Sequence, residues 1–306
     1  MLAVWIVLGV LGLLIILFLI ALFSVYKSVF YTPKEGQNDD FHLNGSQYDN
    51  YHETINKMIT KLKSIPYEDV YTISYDKLKL HARFYEAKES NKVAICCHGY
   101  RGTAYRDFSG GAAAFIEMGI NVILIDERGH GLSEGHSITF GRKEHRDVVS
   151  WVNFAKEKLG RDIEIIIVGI SMGGASVLFA SDKVGEAKVI ADCPYTTEKE
   201  IICQTIKYLK LPVKLFFPIV NLSSIIYGHA SLTKDDAAKS IANTDNKILI
   251  IHGDNDSIVP HTFSERVAKL YPNKIRYELF PNAGHGMSYI FNKERYIQVI
   301  KEFLDE

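Results

Sequence analysis

The stretch IIIVGISMGGASVLFA, residues 165–180, decides the fold. Four β-branched apolar residues, Ile165, Ile166, Ile167 and Val168, lead into Gly-Ile-Ser-Met-Gly-Gly and then into helix-forming sequence. A short run that is apolar at every position predicts a strand buried on both faces. Two readings of the following turn compete. In one, glycines tighten the turn and Ser171 merely caps a helix. In the other, the turn is strained so that one hydroxyl projects beyond the sheet, and Gly169 and Gly173 are kept small to avoid collision. The G-x-S-x-G spacing between a strand and a helix favours the second. The helix also aims its N-terminus at the serine, which suits developing negative charge.

Outward from this turn, the runs KVAICCHG, INVILIDE, AKVIAD, NKILIIHG and KIRYELF are each followed by a helical stretch. Uniformly apolar strands alternating with helices predict an α/β fold, a mostly parallel sheet covered on both faces. The expected helices fill about 105–118, 142–159, 172–184, 262–270 and 288–305. DVYTISY and LKLHARFYEA flank a turn at Asp76-Lys77 and predict an antiparallel pair at the sheet edge. About fifty residues separate VIADCPY from NKILIIHG, too long for an ordinary crossover, so a small helical cap over the C-terminal edge of the sheet is expected. Ligands of open α/β sheets bind beyond that edge. Within the cap, Leu211, Leu215, Phe216, Phe217, Ile219 and Val220 suit an apolar substrate group or contact with a bilayer, and core packing explains them too.

The first segment, LAVWIVLGVLGLLIILFLIALFS, holds 23 residues without a charge. As a helix it would reach ~35 Å, enough to cross a bilayer core. No basic residue precedes it, the apolar run exceeds that of a leader peptide, and no small-x-small cleavage site follows, so a retained anchor is expected. Lys27 and Lys34 follow the span, which tilts the expectation towards a cytoplasmic catalytic domain. The domain plan is then an anchor over 1–26, a connector over 27–66, a core over 67–193 and 244–306, and the cap over 194–243. In the connector, Ile55, Met58, Ile59 and Leu62 recur at helical spacing before Pro66. That amphipathic helix is expected to pack on the domain or lie on the membrane surface, without chemistry of its own.

Bulk composition narrows the partners. The chain has 306 residues, 47% hydrophobic and 23% charged, with a formal net charge of −1 and no basic block, which argues against nucleic acid. Cys96, Cys97, Cys193 and Cys203 lack the spacing of a zinc site or disulfide framework and read as free thiols, with a Cys193–Cys203 bridge as the alternative. No H-x-x-x-H or H-E-x-x-H occurs, so no metal or cofactor is expected.

A serine hydroxyl needs a base, and the base needs a carboxylate to fix its tautomer. His285, in FPNAGHGMS after the last strand, can reach across the sheet edge. The loop IIHGDNDSIVP offers Asp254 and Asp256; Asp256 is the preferred relay partner and Asp254 a turn cap. The order Ser171, Asp256, His285 is that of one hydrolase superfamily. With HGYRG, DERGHGLSEG, GISMGG, HGDNDSIVP and AGHG, the chain from about residue 68 resembles the α/β hydrolases. The likeness is to the short-capped branch of serine aminopeptidase-like and monoglyceride lipase-like enzymes and their membrane-anchored bacterial relatives. The resemblance implies an oxyanion hole made by the backbone N–H groups of Tyr100 and Met172. It implies structural roles for His98, Asp126, Arg128 and His130. It also implies a serine hydrolase acting on small or lipid-like esters. Amide or peptide cleavage by the same site, or a non-catalytic tethered binding module, are the alternatives.

Overall fold

A computed structural model describes residues 1–33 and 47–306. The part of the connector that carries Lys34 lies outside the described residues. In chain order, the helix α1 (Leu2–Val29) and the connector helix α2 (His52–Lys63) precede the strands β1 (Glu68–Ile73), β2 (Lys79–Tyr85) and β3 (Lys92–Cys97). Next come α3 (Ala104–Phe108), α4 (Gly111–Glu117), β4 (Asn121–Ile125), α5 (Glu144–Leu159), β5 (Glu164–Ile170), α6 (Met172–Ala180) and β6 (Lys188–Asp192). Three helices follow, α7 (Glu198–Tyr208), α8 (Val213–Gly228) and α9 (Ala237–Ala242). The chain closes with β7 (Ile248–Gly253), α10 (Thr262–Leu270), β8 (Ile275–Phe280), α11 (Ser288–Phe291) and α12 (Lys293–Asp305).

The eight strands form one sheet in the order β1-β2-β4-β3-β5-β6-β7-β8. β1 and β2 pair antiparallel, β2 pairs antiparallel with β4, and every other ladder is parallel. The uniformly apolar strands are explained by their two buried faces. On β5, Ile165 and Ile167 enter one core while Ile166 and Val168 enter the other. The first core holds α5, α6, Trp151 and Phe179, and the end of α1 docks into it through Tyr26 and Phe30. The second holds Ile55, Ile59 and Leu62 of α2, Phe115 of α4, and Tyr296, Val299 and Ile300 of α12.

Two expected helices are broken. The stretch 105–118 divides into α3 and α4, with α3 capped by Thr103, whose hydroxyl oxygen accepts from the Arg106 N–H at 3.1 Å. The stretch 288–305 divides at Asn292, which leaves helical geometry (φ −150°, ψ 78°) and accepts from the Arg295 N–H at 3.1 Å to start α12 afresh. The connector helix packs on the domain. The last two turns of α8 press on α1 rather than on the serine: Ser223 Oγ donates to the Leu22 carbonyl at 2.8 Å, and Tyr227 OH to that of Leu19 at 3.0 Å.

Candidate active site

Ser171 sits where β5 ends and α6 begins, with φ 55° and ψ −113°. A non-glycine residue at positive φ is strained, and the neighbours show how the strain is held. Its N–H donates to the Asp192 carbonyl at 2.8 Å, tying the turn to β6. Neither Gly169 nor Gly173 has positive φ, so their smallness serves space rather than conformation. A Cβ on Gly169 would stand 2.1 Å from the Gly173 carbonyl oxygen, and one on Gly173 would stand 1.9 Å from that of Cys97. The elbow is a crossing of backbones with no room for a side chain.

His285 Nε2 lies 2.9 Å from Ser171 Oγ, and its Nδ1 lies 2.7 Å from Asp256 Oδ2. The Asp256 Oδ1 accepts from the N–H groups of Ile258 and Val259 at 2.9 and 2.8 Å, so both carboxylate oxygens are engaged. Burial opposes the charge on Asp256, but His285 and hydrogen bonds from His252 and His285 hold it well below the usual carboxylate range. For His285, burial disfavours the imidazolium, while Cys193 and Asp256 outweigh it and raise the ring well above its ordinary value. Burial pushes the Cys193 thiol itself up to about 11, so at neutral pH it is uncharged and the carboxylate is the partner that counts. Asp254 instead accepts from the Asn282 N–H at 2.6 Å, bracing the turn beneath the histidine loop.

Tyr100 lies in a tight turn closed by Gly102 N–H donating to the Gly99 carbonyl at 3.0 Å. Asp107 anchors that turn by accepting from the Gly99 N–H at 2.8 Å, and a Cβ on Gly99 would lie 3.4 Å from that of Ser171. The turn therefore packs directly on the serine. Met172, fully buried, opens α6 immediately after it. His98 is buried: its Nδ1 donates to the Gly99 carbonyl at 2.9 Å and its Nε2 accepts from the Glu127 N–H at 3.0 Å. Both ring nitrogens are thus spent on backbone. Asp126 receives His81, Arg83 and the Leu132 N–H; Arg128 bridges Asp76 and Asp147; His130 stands edge-on to His98 at 4.8 Å. All of these brace loops.

A cavity of about 330 Å³ opens beside Ser171 and His285. Its wall is mainly apolar, with Ile55, Met58, Phe115, Ile170, Met287 and Ile300 among the contributors. Among the described residues, the wall takes nothing from between Asp192 and Ile258, so the 194–243 segment does not line it. The connector does. One polar group stands out in this wall: Asp192 is buried, its Oδ2 accepts from Tyr296 OH at 3.0 Å, and its Oδ1 has no hydrogen-bond partner among the described residues. Burial pushes its carboxyl up to about 6.

Four comparisons bear on this geometry. A family model described as serine aminopeptidase, S33, matches residues 88–225. The protein YqkD of Bacillus subtilis (strain 168) is 27% identical over 221 residues, covering 71% of this chain and 72% of that protein. The thiohydrolase aneE of Aspergillus aculeatus is 30% identical over 118 residues, 38% of this chain and 37% of its own. The esterase Pf2001 of Pyrococcus furiosus superposes with a TM-score of 0.65 at 23% identity, over 80% of this chain and 92% of that one. The chain has the α/β-hydrolase fold. All four cysteines are free, three of them buried. Cys193, Asp256 and His285 bring one potential metal-ligand atom each within 4.8 Å of the others. His285 Nδ1–H already donates to Asp256 Oδ2, so that nitrogen has no lone pair to offer, and a protonated Cys193 is a poor ligand.

Two residues near the site lie outside every motif, and a third, His252, opens HGDNDSIVP. Tyr48 OH donates to the His285 carbonyl at 3.1 Å, and the Gln47 Oε1 accepts from the His285 N–H at 3.3 Å. His252, fully buried, has Nε2 at 2.9 Å from the Val259 carbonyl and 3.2 Å from Asp256 Oδ2. Among the described residues only acceptors face that nitrogen, so it carries the proton and shares it. Its place four residues before Asp256 in HGDNDSIVP is the sequence signal that points to it.

Proposed function

We propose that this protein is a membrane-anchored serine hydrolase that cleaves carboxylic esters through an acyl-enzyme. The observation that carries the reading is the unbroken hydrogen-bonded chain Ser171–His285–Asp256 at the mouth of an apolar cavity. His285 Nε2 takes the Ser171 proton as Oγ attacks the ester carbonyl carbon. The carbonyl oxygen becomes an anion facing the N–H groups of Tyr100 and Met172, at the N-terminus of α6. Collapse breaks the bond to the alcohol oxygen, which leaves with the proton from His285. Water, deprotonated by the same ring, then releases the acid and restores Ser171. Asp256 holds the ring with Nε2 towards the serine and stabilises the imidazolium in both steps.

The anchor reading is supported by how α1 divides. Residues 2–20 are almost wholly exposed and apolar, whereas Leu22, Tyr26 and Phe30 are buried in the domain. Tyr100 OH donates to the Val29 carbonyl at 2.7 Å, and Arg101 to that of Ser28 at 2.6 Å. A helix whose end is built into the core, next to the Tyr100 turn, is retained rather than shed. The lysine after the span favours the cytoplasmic side.

Ser171→Ala is expected to abolish turnover of a short p-nitrophenyl ester and labelling by a fluorophosphonate while leaving thermal unfolding unchanged. Retained turnover would remove Ser171 from the reaction. One observation favours a second reading, aminoacyl-amide cleavage: the unpartnered Asp192 oxygen in the cavity wall suits an ammonium group. Faster hydrolysis of an aminoacyl p-nitroanilide than of an acyl ester, lost in Asp192→Asn, would replace the ester assignment.

A further inference from the structure

Helix α8 is built inside out. Ser223 and Ser224 are fully buried, donating to the carbonyls of Leu22 and Ala230, while Leu222, Ile225 and Ile226 face outward. The outward stripe continues through Pro218 to Leu215, which is 59% exposed. A helix on a water-facing surface shows the opposite polarity, with its apolar stripe turned to the core. The helix also sits at a defined height. Ser223 reaches the carbonyl of Leu22 and Tyr227 that of Leu19, and the Tyr227 ring stands edge-on to Phe23 at 5.2 Å. A bilayer core of about 30 Å needs ~20 helical residues, so a span beginning near Leu2 ends at about the level of these contacts. Just before α8, Lys207, Tyr208, Leu209, Lys210 and Leu211 are all exposed, the mixture of basic, aromatic and aliphatic side chains that settles at a headgroup boundary.

We infer that the C-terminal half of α8 is a second membrane contact, its Leu222–Ile225–Ile226 face seated in the acyl-chain boundary beside α1, with the 207–211 segment at the headgroups. The occupant is a lipid bilayer, and anionic lipid is preferred because the segment presents lysines. This rests on the anchored reading of α1. It gives the 194–228 segment a role other than roofing the cavity, and it sets the Tyr100 turn, bonded to the end of α1, close to the lipid surface.

The test uses the full chain in vesicles of phosphatidylcholine and phosphatidylglycerol, on a Cys203→Ser background that leaves only buried thiols. Single cysteines at Leu13→Cys, Ile226→Cys and Lys301→Cys are labelled with an environment-sensitive fluorophore and challenged with lipids carrying a quencher on the acyl chain. Quenching at positions 13 and 226 but not at 301 is the expected result. Quenching at 13 with none at 226 overturns the α8 contact and leaves the anchor standing. No quenching at 13 removes the anchor and with it this inference. In the unlabelled protein, Ile226→Asp is expected to lower turnover of an ester presented in the vesicles and leave that of a soluble ester unchanged. An equal loss on both substrates would show damage to the fold rather than to docking.

Discussion

At the scale of single residues, the relay is defined by how completely each partner is occupied. Asp256 has four hydrogen-bond or ionic partners, counting His285, His252, Ile258 N–H and Val259 N–H. This makes a directional prediction. The carboxylate raises the pKa of His285, so kcat/KM should fall as pH drops through a value above the ordinary histidine range. Asp256→Asn removes that charge, and the acid limb should move to lower pH while kcat falls on the order of 10³–10⁴-fold. A pH–rate profile on a soluble ester checks both. An acid limb that stays in place would mean another group titrates. Ser171, His285 and Asp256 were legible from the sequence because each stands in a loop directly after an apolar run, where position alone limits the choice. His252 was not, since it reads as part of the strand IIHG and its reach to Asp256 depends on the loop folding back.

At the scale of elements, the connector is the unexpected contributor. Its apolar spacing predicted a packed helix, and Ile55, Ile59 and Leu62 are indeed buried. Spacing says nothing about what lies on the other side of the contact. Tyr48 and Gln47 stand 237 and 238 residues from His285 in sequence, and only the tertiary fold brings them to its backbone. Burial of Tyr48 pushes its phenol up to about 12, so it remains a donor across the working pH range. Tyr48→Phe should displace the histidine loop while keeping the ring's packing. The expected outcome is a fall of about fivefold in kcat, matching the loss of one hydrogen bond worth ~1 kcal/mol, with KM nearly unchanged. A change confined to KM would instead mark Tyr48 as part of the cavity wall only. Helix α8 shows the same limit from the other direction. Its apolar composition was plain, but which residues turn outward depends on α1 lying against it.

At the scale of the whole molecule, the buried carboxyl of Asp192 is a stability cost carried beside the site. Its folded pKa, about 6, is above the unfolded value near 4. The folded state therefore holds the proton more tightly, and stability from this group is full below pH 4 and lost as pH rises through 6. Asp192→Asn keeps an oxygen for Tyr296 and removes the charge. It should raise the unfolding free energy at pH 8 by 1 kcal/mol or more, up to roughly 3 kcal/mol, and have little effect at pH 4. Thermal melts at the two pH values measure the difference. Equal shifts at both would mean the carboxyl titrates alike in the folded and unfolded states.

The sheet also acts as a partition. The anchor's end and α8 associate with one of the two hydrophobic cores, while the cavity is carved largely from the other, among α2, α4 and α12. The Tyr100 turn meets both, since Tyr100 packs against the first core and lines the cavity. Residues that line the cavity can therefore vary on one side of the strands without loosening the docking of α1 on the other. Such a chain can change what its cavity admits while its first helix stays where it is.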